Sequence, residues 1–214
     1  MVDLKEFEQK AADLRVLGMK ISIGQDTVYE KYWDEDCRRN IYSASKSFTS
    51  CAVGFAVQEG LIDLDERLMD AFKEDIPNNP DENLKKATVK DLLTMTLGQE
   101  KGFLMGKQRP RMEEQNWVKA SLAIPFVYEP GTHFVYNNVG PYLAGILVQR
   151  RAGCDLLSYL TPRLLKPLGI RKTIWEVDPE GNTFGAGGLF LTVSELHKLG
   201  MFYLQNGCWN GKKL

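Results

Sequence analysis

The segment from Ile41 to Gly60 constrains the fold more than any other stretch of the chain. Ser50-Cys51-Ala52-Val53-Gly54-Phe55-Ala56-Val57-Gln58-Glu59 sets Val53, Ala56 and Val57 three and four apart, and Gly60 is suited to end the helix this predicts. Ahead of that body stand Ser43-Ala44-Ser45-Lys46. In a helix, Ser43 falls in the first turn and Lys46, three residues on, lies on the same face. Unpaired N–H groups at a helix N-terminus favour a developing negative charge beside them. A hydroxyl, a neighbouring amine and a local positive potential are the parts of an activated nucleophile. The same residues also read as a plain polar helix start, in which Ser caps and Lys faces water.

Composition narrows the classes of function. With 214 residues, 43% of them hydrophobic and 26% charged, the chain has material for one domain or two small lobes. A net charge of -1 gives no electrostatic reason to expect nucleic acid or an anionic membrane as partner. No apolar run approaches the length of a membrane span. The opening Met1-Val2-Asp3-Leu4-Lys5-Glu6 is charged where an export signal needs an apolar region, so a cytoplasmic protein is expected. Cys37, Cys51, Cys154 and Cys208 are scattered without a C-x-x-C pair and read as reduced. His133 and His197 have no second His or Cys at ligand spacing, so no metal site is expected. Gly185-Ala186-Gly187-Gly188 is read as a tight backbone passage, since it lacks the spacing and setting of a dinucleotide loop.

Along the chain, Leu4, Phe7, Ala11, Leu14 and Leu17 predict an amphipathic helix over residues 3–17, closed by Gly18. Residues 19–23 and 27–33 flank Gly24-Gln25-Asp26 and predict a β-hairpin. A short helix holds Leu68, Met69 and Phe72; Thr88 caps the next, with Asp91 three residues after it. Residues 98–111 are polar, basic and Gly-bearing, which predicts a mobile surface loop with Lys101, Lys107, Arg109 and Arg111 solvated or at a pocket mouth. Helices are expected over 113–122, 139–151, 156–165 and, capped by Thr192, 193–206.

Tyr136 and Asn138 are two apart, so in an extended segment both side chains project to one side. A phenol beside a lysine ammonium is made more acidic and can take or return a nucleophile's proton. An asparagine amide there can fix a substrate amide or hold the lysine. Taken alone, the pair also reads as a core aromatic followed by turn asparagines. The order of parts bears on the choice: Ser43-Ala44-Ser45-Lys46 opening a long helix, Glu59-Gly60-Leu61-Ile62-Asp63-Leu64-Asp65, Thr88 to Gly98, Pro130-Gly131, Tyr136-Asn137-Asn138, Lys166-Pro167-Leu168-Gly169, and Gly185-Ala186-Gly187-Gly188-Leu189. From about residue 18 onward this series resembles the serine β-lactamase and penicillin-binding-protein superfamily, in its class C-like branch, which also holds D-aminopeptidases and β-lactamase-like esterases.

The resemblance implies an α/β fold of the α+β type, a helical lobe packed with part of an antiparallel sheet. It implies a covalent acyl-enzyme on Ser43, with Lys46 accepting or relaying its proton. Tyr136 is similar to the family's general base and acid, Asn138 to its substrate-positioning amide, and the division of the base role between Lys46 and Tyr136 stays open. The N–H of Ser43 would form half of an oxyanion hole. No metal or organic cofactor is implied. The family's third motif, a Lys or His two residues before a Gly, has no counterpart: Lys172-Thr173 is followed by Ile174, and Gly211-Lys212-Lys213 stops the chain. In the family that later region brings the second oxyanion N–H, most of the sheet and a closing helix, so a chain lacking the C-terminal strands and closing helix is expected. The corresponding division is 1–42 for the helix and hairpin, 43–169 for the helical lobe and 170–214 for an incomplete return segment. Two readings follow: a serine hydrolase acting on a small-molecule or peptide substrate (a β-lactam, a D-amino-acid peptide or a small ester), and a truncated homologue that binds or self-associates without turnover. An exposed strand edge on the hairpin would favour a homo-oligomer.

Overall fold

The computed structural model describes residues 4–11 and 13–214. Helix α1 (Lys5–Ala11) precedes the strands β1 (Gly18–Ile23), β2 (Asp26–Tyr32) and β3 (Arg39–Asn40). Seven helices follow: α2 (Ser45–Gln58), α3 (Leu68–Ala71), α4 (Glu82–Lys86), α5 (Val89–Thr94), α6 (Trp117–Leu122), α7 (Val139–Ala152) and α8 (Leu156–Leu160). The chain continues through β4 (Phe190–Leu191), α9 (Val193–Leu204), β5 (Cys208–Trp209) and β6 (Lys212–Lys213). Every strand pairing among the described residues is antiparallel: β1 with β2, β3 with β4, β5 with β6. The fold is therefore of the α+β type, as the sequence predicts.

Two compact units are distinguishable, one of Met1–Asn40, Arg163–Thr173 and Phe190–Leu214, the other of Ile41–Pro162 and Ile174–Leu189. In the first, the β1–β2 hairpin turns at Gly24, whose φ of +60° suits glycine. Gly18 opens β1 instead of ending a helix. A side chain there would run into the Tyr32 ring, 2.7 Å from the position of its Cβ. Of the helix predicted over residues 3–17, α1 covers Lys5–Ala11 and residues 3 and 12 lie outside the described residues; Arg15 takes φ +54° and Leu14 is 69% exposed. Helix α9 packs on β1. Its start is fixed by a reciprocal cap, Glu195 N–H to Thr192 Oγ1 (3.1 Å) and Thr192 N–H to Glu195 Oε2 (3.1 Å), and Arg38 pairs with the same carboxylate at 2.7 Å.

The second unit is built on α7, against which α2 and α5 pack. Tyr142, Leu143, Ala144, Ile146, Leu147 and Val148 are all buried, so α7 is apolar and covered around its circumference up to Val148, with Arg150 and Arg151 exposed in its last turn. Phe48, Ala52, Val53 and Ala56 give α2 its buried face, whereas Val57 is 36% exposed. Close approach of α5 and α7 depends on Gly140: a Cβ there would stand 2.2 Å from the Leu92 carbonyl oxygen. The helix expected over 156–165 is α-helical only to Leu160 and widens into a π-helical turn over Thr161–Leu165, where Pro162 has no N–H to give.

Candidate active site

Ser43 lies in a single 3-10 turn, Tyr42–Ala44, just ahead of α2, whereas the sequence spacing predicts it within the first turn of the helix. Tyr42 takes a left-handed φ of +48°, a backbone state that costs a non-glycine residue roughly 1 kcal/mol or more. The turn is held by Ser45, buried, whose Oγ donates to the Tyr42 carbonyl (2.6 Å) and accepts from Leu189 N–H (3.1 Å). Lys46 lies in the first turn of α2, and its Nζ donates to Ser43 Oγ at 3.1 Å. The Tyr136 hydroxyl donates to the same Ser43 oxygen at 2.7 Å. A hydroxyl, an amine and a phenol drawn from two distant parts of the sequence thus meet at one oxygen.

Asn138 closes the group, though not as the sequence spacing suggests. No strand forms here, and Asn138 is the residue that begins α7, with φ −101° and ψ −10°. Its Oδ1 accepts from Lys46 Nζ at 2.7 Å while its Nδ2 donates to the Leu104 carbonyl at 2.9 Å. Both ends of the amide are therefore spent inside the protein. Lys46 finds a further acceptor in the Ala186 carbonyl, 2.5 Å away. That carbonyl is presented by the glycine-bearing passage, where Gly185 and Gly188 have φ of +68° and +83°. Flanking carbonyls of the passage are used as well: Gly185 O accepts from Thr49 Oγ1 (2.8 Å) and Gly187 O from Trp175 Nε1 (2.7 Å).

Proton affinities at the site follow from these contacts. Burial holds the Lys46 amine below the usual lysine range and Arg109 pushes it the same way, while Tyr136 opposes both. For Tyr136, burial pulls the phenol up, but the hydrogen bond with Ser43 and the charge of Lys46 outweigh it, leaving the phenol below its ordinary value. The pair thus gives up a proton more readily than either group does in water. As a neutral amine Lys46 has two N–H bonds, enough for Asn138 Oδ1 and Ala186 O, which leaves its lone pair facing Ser43 Oγ.

A Beta-lactamase family model matches residues 5–208. The chain belongs to the beta-lactamase family. Over 157 residues it is 31% identical to monacolin J acid methylbutanoyltransferase of Aspergillus terreus, a match covering 64% of this chain and 37% of that protein. It is 31% identical over 150 residues to the lovastatin esterase of Penicillium rubens, covering 60% of this chain and 37% of the esterase. Among solved structures, the octameric penicillin-binding protein homologue from Pyrococcus abyssi aligns at a TM-score of 0.74 and 23% identity, over 96% of this chain and 57% of that one. The chain spans well under half the length of these curated relatives.

Within this beta-lactamase-family chain, the other histidines and the cysteines are used elsewhere. His133 stacks on Tyr128 with ring centroids 4.2 Å apart, and His197 contacts Ser22 Oγ at 3.0 Å. No disulfide joins Cys37, Cys51, Cys154 and Cys208. Among the described residues no group of three or more His, Cys, Asp or Glu is placed to hold a metal ion, and no helix is long and apolar enough to cross a membrane. Sequence reasoning missed two contributors, the backbone carbonyls of Ala186 and Leu104. It left Arg109 either solvated or at a pocket mouth, on a surface loop. In the structure Leu104 is fully buried, and Arg109 pairs with Glu176 at 3.1 Å.

Proposed function

We propose that this chain performs acyl transfer from small esters or amides through a covalent intermediate on Ser43. The observation that carries this is the convergence on Ser43 Oγ of Lys46 Nζ at 3.1 Å and Tyr136 Oη at 2.7 Å. Lys46, held by two carbonyl acceptors, takes the Ser43 proton as the oxygen attacks the acyl carbon. Tyr136, hydrogen-bonded to the same oxygen, then supplies a proton to the leaving group, and the lysine proton restores it. Water completes a hydrolysis; an alcohol or amine in its place completes a transfer. The names of two relatives, a methylbutanoyltransferase and an esterase, support the ester end of this range and are compatible with either acceptor. Asn138 serves Lys46 and the Leu104 carbonyl in this reading, as a residue that orients the base and not as a contact to substrate.

The test is an intact-mass measurement after exposure to a fluorophosphonate ester. One adduct per chain, absent in Ser43→Ala, is expected. No adduct in a folded sample at saturating probe would overturn the proposal in favour of a homologue that binds without turnover. For assembly, we infer that a second copy pairs along the edge of β1 that β2 leaves open. Light scattering that returned a monomer at all concentrations would remove that inference.

A further inference from the structure

The segment between Gly98 and Met112 is tied down at several points. Phe103 O accepts from Asn138 N–H (3.3 Å), Leu104 O accepts from Asn138 Nδ2 (2.9 Å), and Gly102 lies so near the Tyr136 carbonyl that a Cβ would approach it to 2.7 Å. Gln108 ties the loop to itself, accepting from Met105 N–H (2.9 Å) and donating to the Gly102 carbonyl (3.4 Å). At its end Arg109 pairs with Glu176 and lays its guanidinium over the Phe184 ring, 4.3 Å from the centroid. Glu176 in turn lies flat across Gly188, where a Cβ would stand 2.5 Å from the glutamate's own. Phe184 and Gly188 flank Ala186, whose carbonyl holds Lys46.

We propose that Arg109 is a positioning residue for Lys46: clamped between Glu176 and Phe184, it pins the loop to the wall that carries Ala186 and presents a fixed positive charge to the amine. The proposal rests on the acyl-enzyme reading for its catalytic meaning, though not for its electrostatics. The titratable and charged groups set against Lys46 are Tyr136 ahead of α7 and Arg109 on the loop, with Glu176 compensating Arg109. A guanidinium stays protonated at every working pH, so its effect on a neighbouring amine has one sign. It disfavours the ammonium and leaves the lone pair free at lower pH than Tyr136 alone would permit.

The experiment compares wild type, Arg109→Gln, Arg109→Lys and Glu176→Gln. Two readouts are taken: the pH profile of kcat/KM on p-nitrophenyl acetate, and the titration of Lys46 by NMR after reductive 13C-methylation of the lysines. Lys46→Arg assigns the resonance. In Arg109→Gln the acidic limb and the Lys46 titration should both move to higher pH, with activity lost several-fold at pH 6 and regained at pH 9. Arg109→Lys should keep both near wild type, and Glu176→Gln should move them the other way. An Arg109→Gln protein that stays folded with both titrations unmoved overturns the proposal. A uniform loss at every pH, with the Lys46 resonance in place, also overturns it, because that is the signature of a structural role only. Wild type without a Ser43 adduct would sink the acyl-enzyme reading instead, and the NMR titration would still judge Arg109. Should Arg109→Gln fail to fold, the Glu176→Gln shift decides alone, and its absence counts against the proposal.

Discussion

Two serines in this molecule touch a basic nitrogen at nearly the same distance, Ser43 with Lys46 at 3.1 Å and Ser22 with His197 at 3.0 Å. Under the proposed function only the first takes part in chemistry. Ser22 lies on β1 beside a β-bulge, shares its hydroxyl with Thr27 at 3.4 Å, and borders a cavity of about 370 Å³ lined by Lys20, Thr27 and Trp209. Among the described residues, the His197 ring has one hydrogen-bond partner, Ser22 itself. Ser43 instead meets two titratable side chains, the Tyr136 phenol and the Lys46 amine, and the amine is held by two further carbonyl oxygens. On the proposed function, the contrast teaches that orientation of the base, more than contact distance, separates an activated nucleophile from an ordinary hydroxyl–base contact.

The most severe way to break this comparison is to delete each hydroxyl. Ser43→Ala should abolish fluorophosphonate labelling and lower ester turnover by about 10³-fold or more, whereas Ser22→Ala should leave turnover unchanged within about twofold. The opposite pattern would make the hairpin pair the nucleophile. Next in size is the phenol. Tyr136→Phe keeps the ring over Lys46 but removes the hydroxyl that reaches Ser43, and should cost about 10²–10³-fold in kcat/KM with little change in KM. His197→Gln should leave both constants alone. Steady-state kinetics on one ester with the two variants side by side checks this.

What the sequence made legible follows from range. Caps are written within four residues, and both predicted ones are present: Thr88 N–H and Oγ1 donate to Asp91 Oδ2, and Thr192 Oγ1 accepts from Glu195 N–H. The hairpin and α7 were equally plain, the one from β-rich runs around Gly24, the other from an unbroken apolar stretch. The meeting of Ser43, Lys46 and Tyr136 was expected only through an ordered series of weak motifs, because no local rule brings residue 136 to residue 43. Ala186 could not be read at all, since it contributes a backbone carbonyl and its side chain carries no chemistry. The choice between a solvated Arg109 and one at a pocket mouth stays open in the sequence because its partners, Glu176 and Phe184, are remote along the chain. Periodicity does not encode the left-handed φ at Arg15 either, which falls inside the span predicted as the opening helix.

The two units should also differ in how they tolerate an added methyl group. Gly140→Ala forces a Cβ against the Leu92 carbonyl in the α5–α7 contact, where neither backbone can give way, and should cost about 2–4 kcal/mol in urea unfolding. Gly24→Ala at the hairpin turn meets nothing within 4 Å and carries only the penalty of a left-handed φ, about 1 kcal/mol. Equal costs would mean that α5 can slide on α7, and the tight seat of Asn138 at the start of α7 would lose its rationale.

The smallest effect is electrostatic and belongs to the hairpin unit. Burial, aided by Lys20, holds the His197 imidazole below its ordinary value. The unfolded chain therefore binds a proton at this ring at higher pH than the folded chain does. Stability contributed by the neutral ring is whole above about pH 6.5 and is lost as pH falls through the unfolded value toward the folded one. The carboxylates with depressed values, Glu8, Glu30, Asp155 and Glu195, lose their own contribution lower, once pH approaches the unfolded carboxylate range of about 4. A window between about pH 5 and 6.5 consequently isolates the histidine. Thermal melts in that window should show a slope for wild type that His197→Gln flattens, while Ser43-dependent labelling at pH 8 is the same in both. A slope that survives the substitution would assign the acid sensitivity to another group. It would also leave the Ser22–His197 pair with no measurable part in either stability or chemistry.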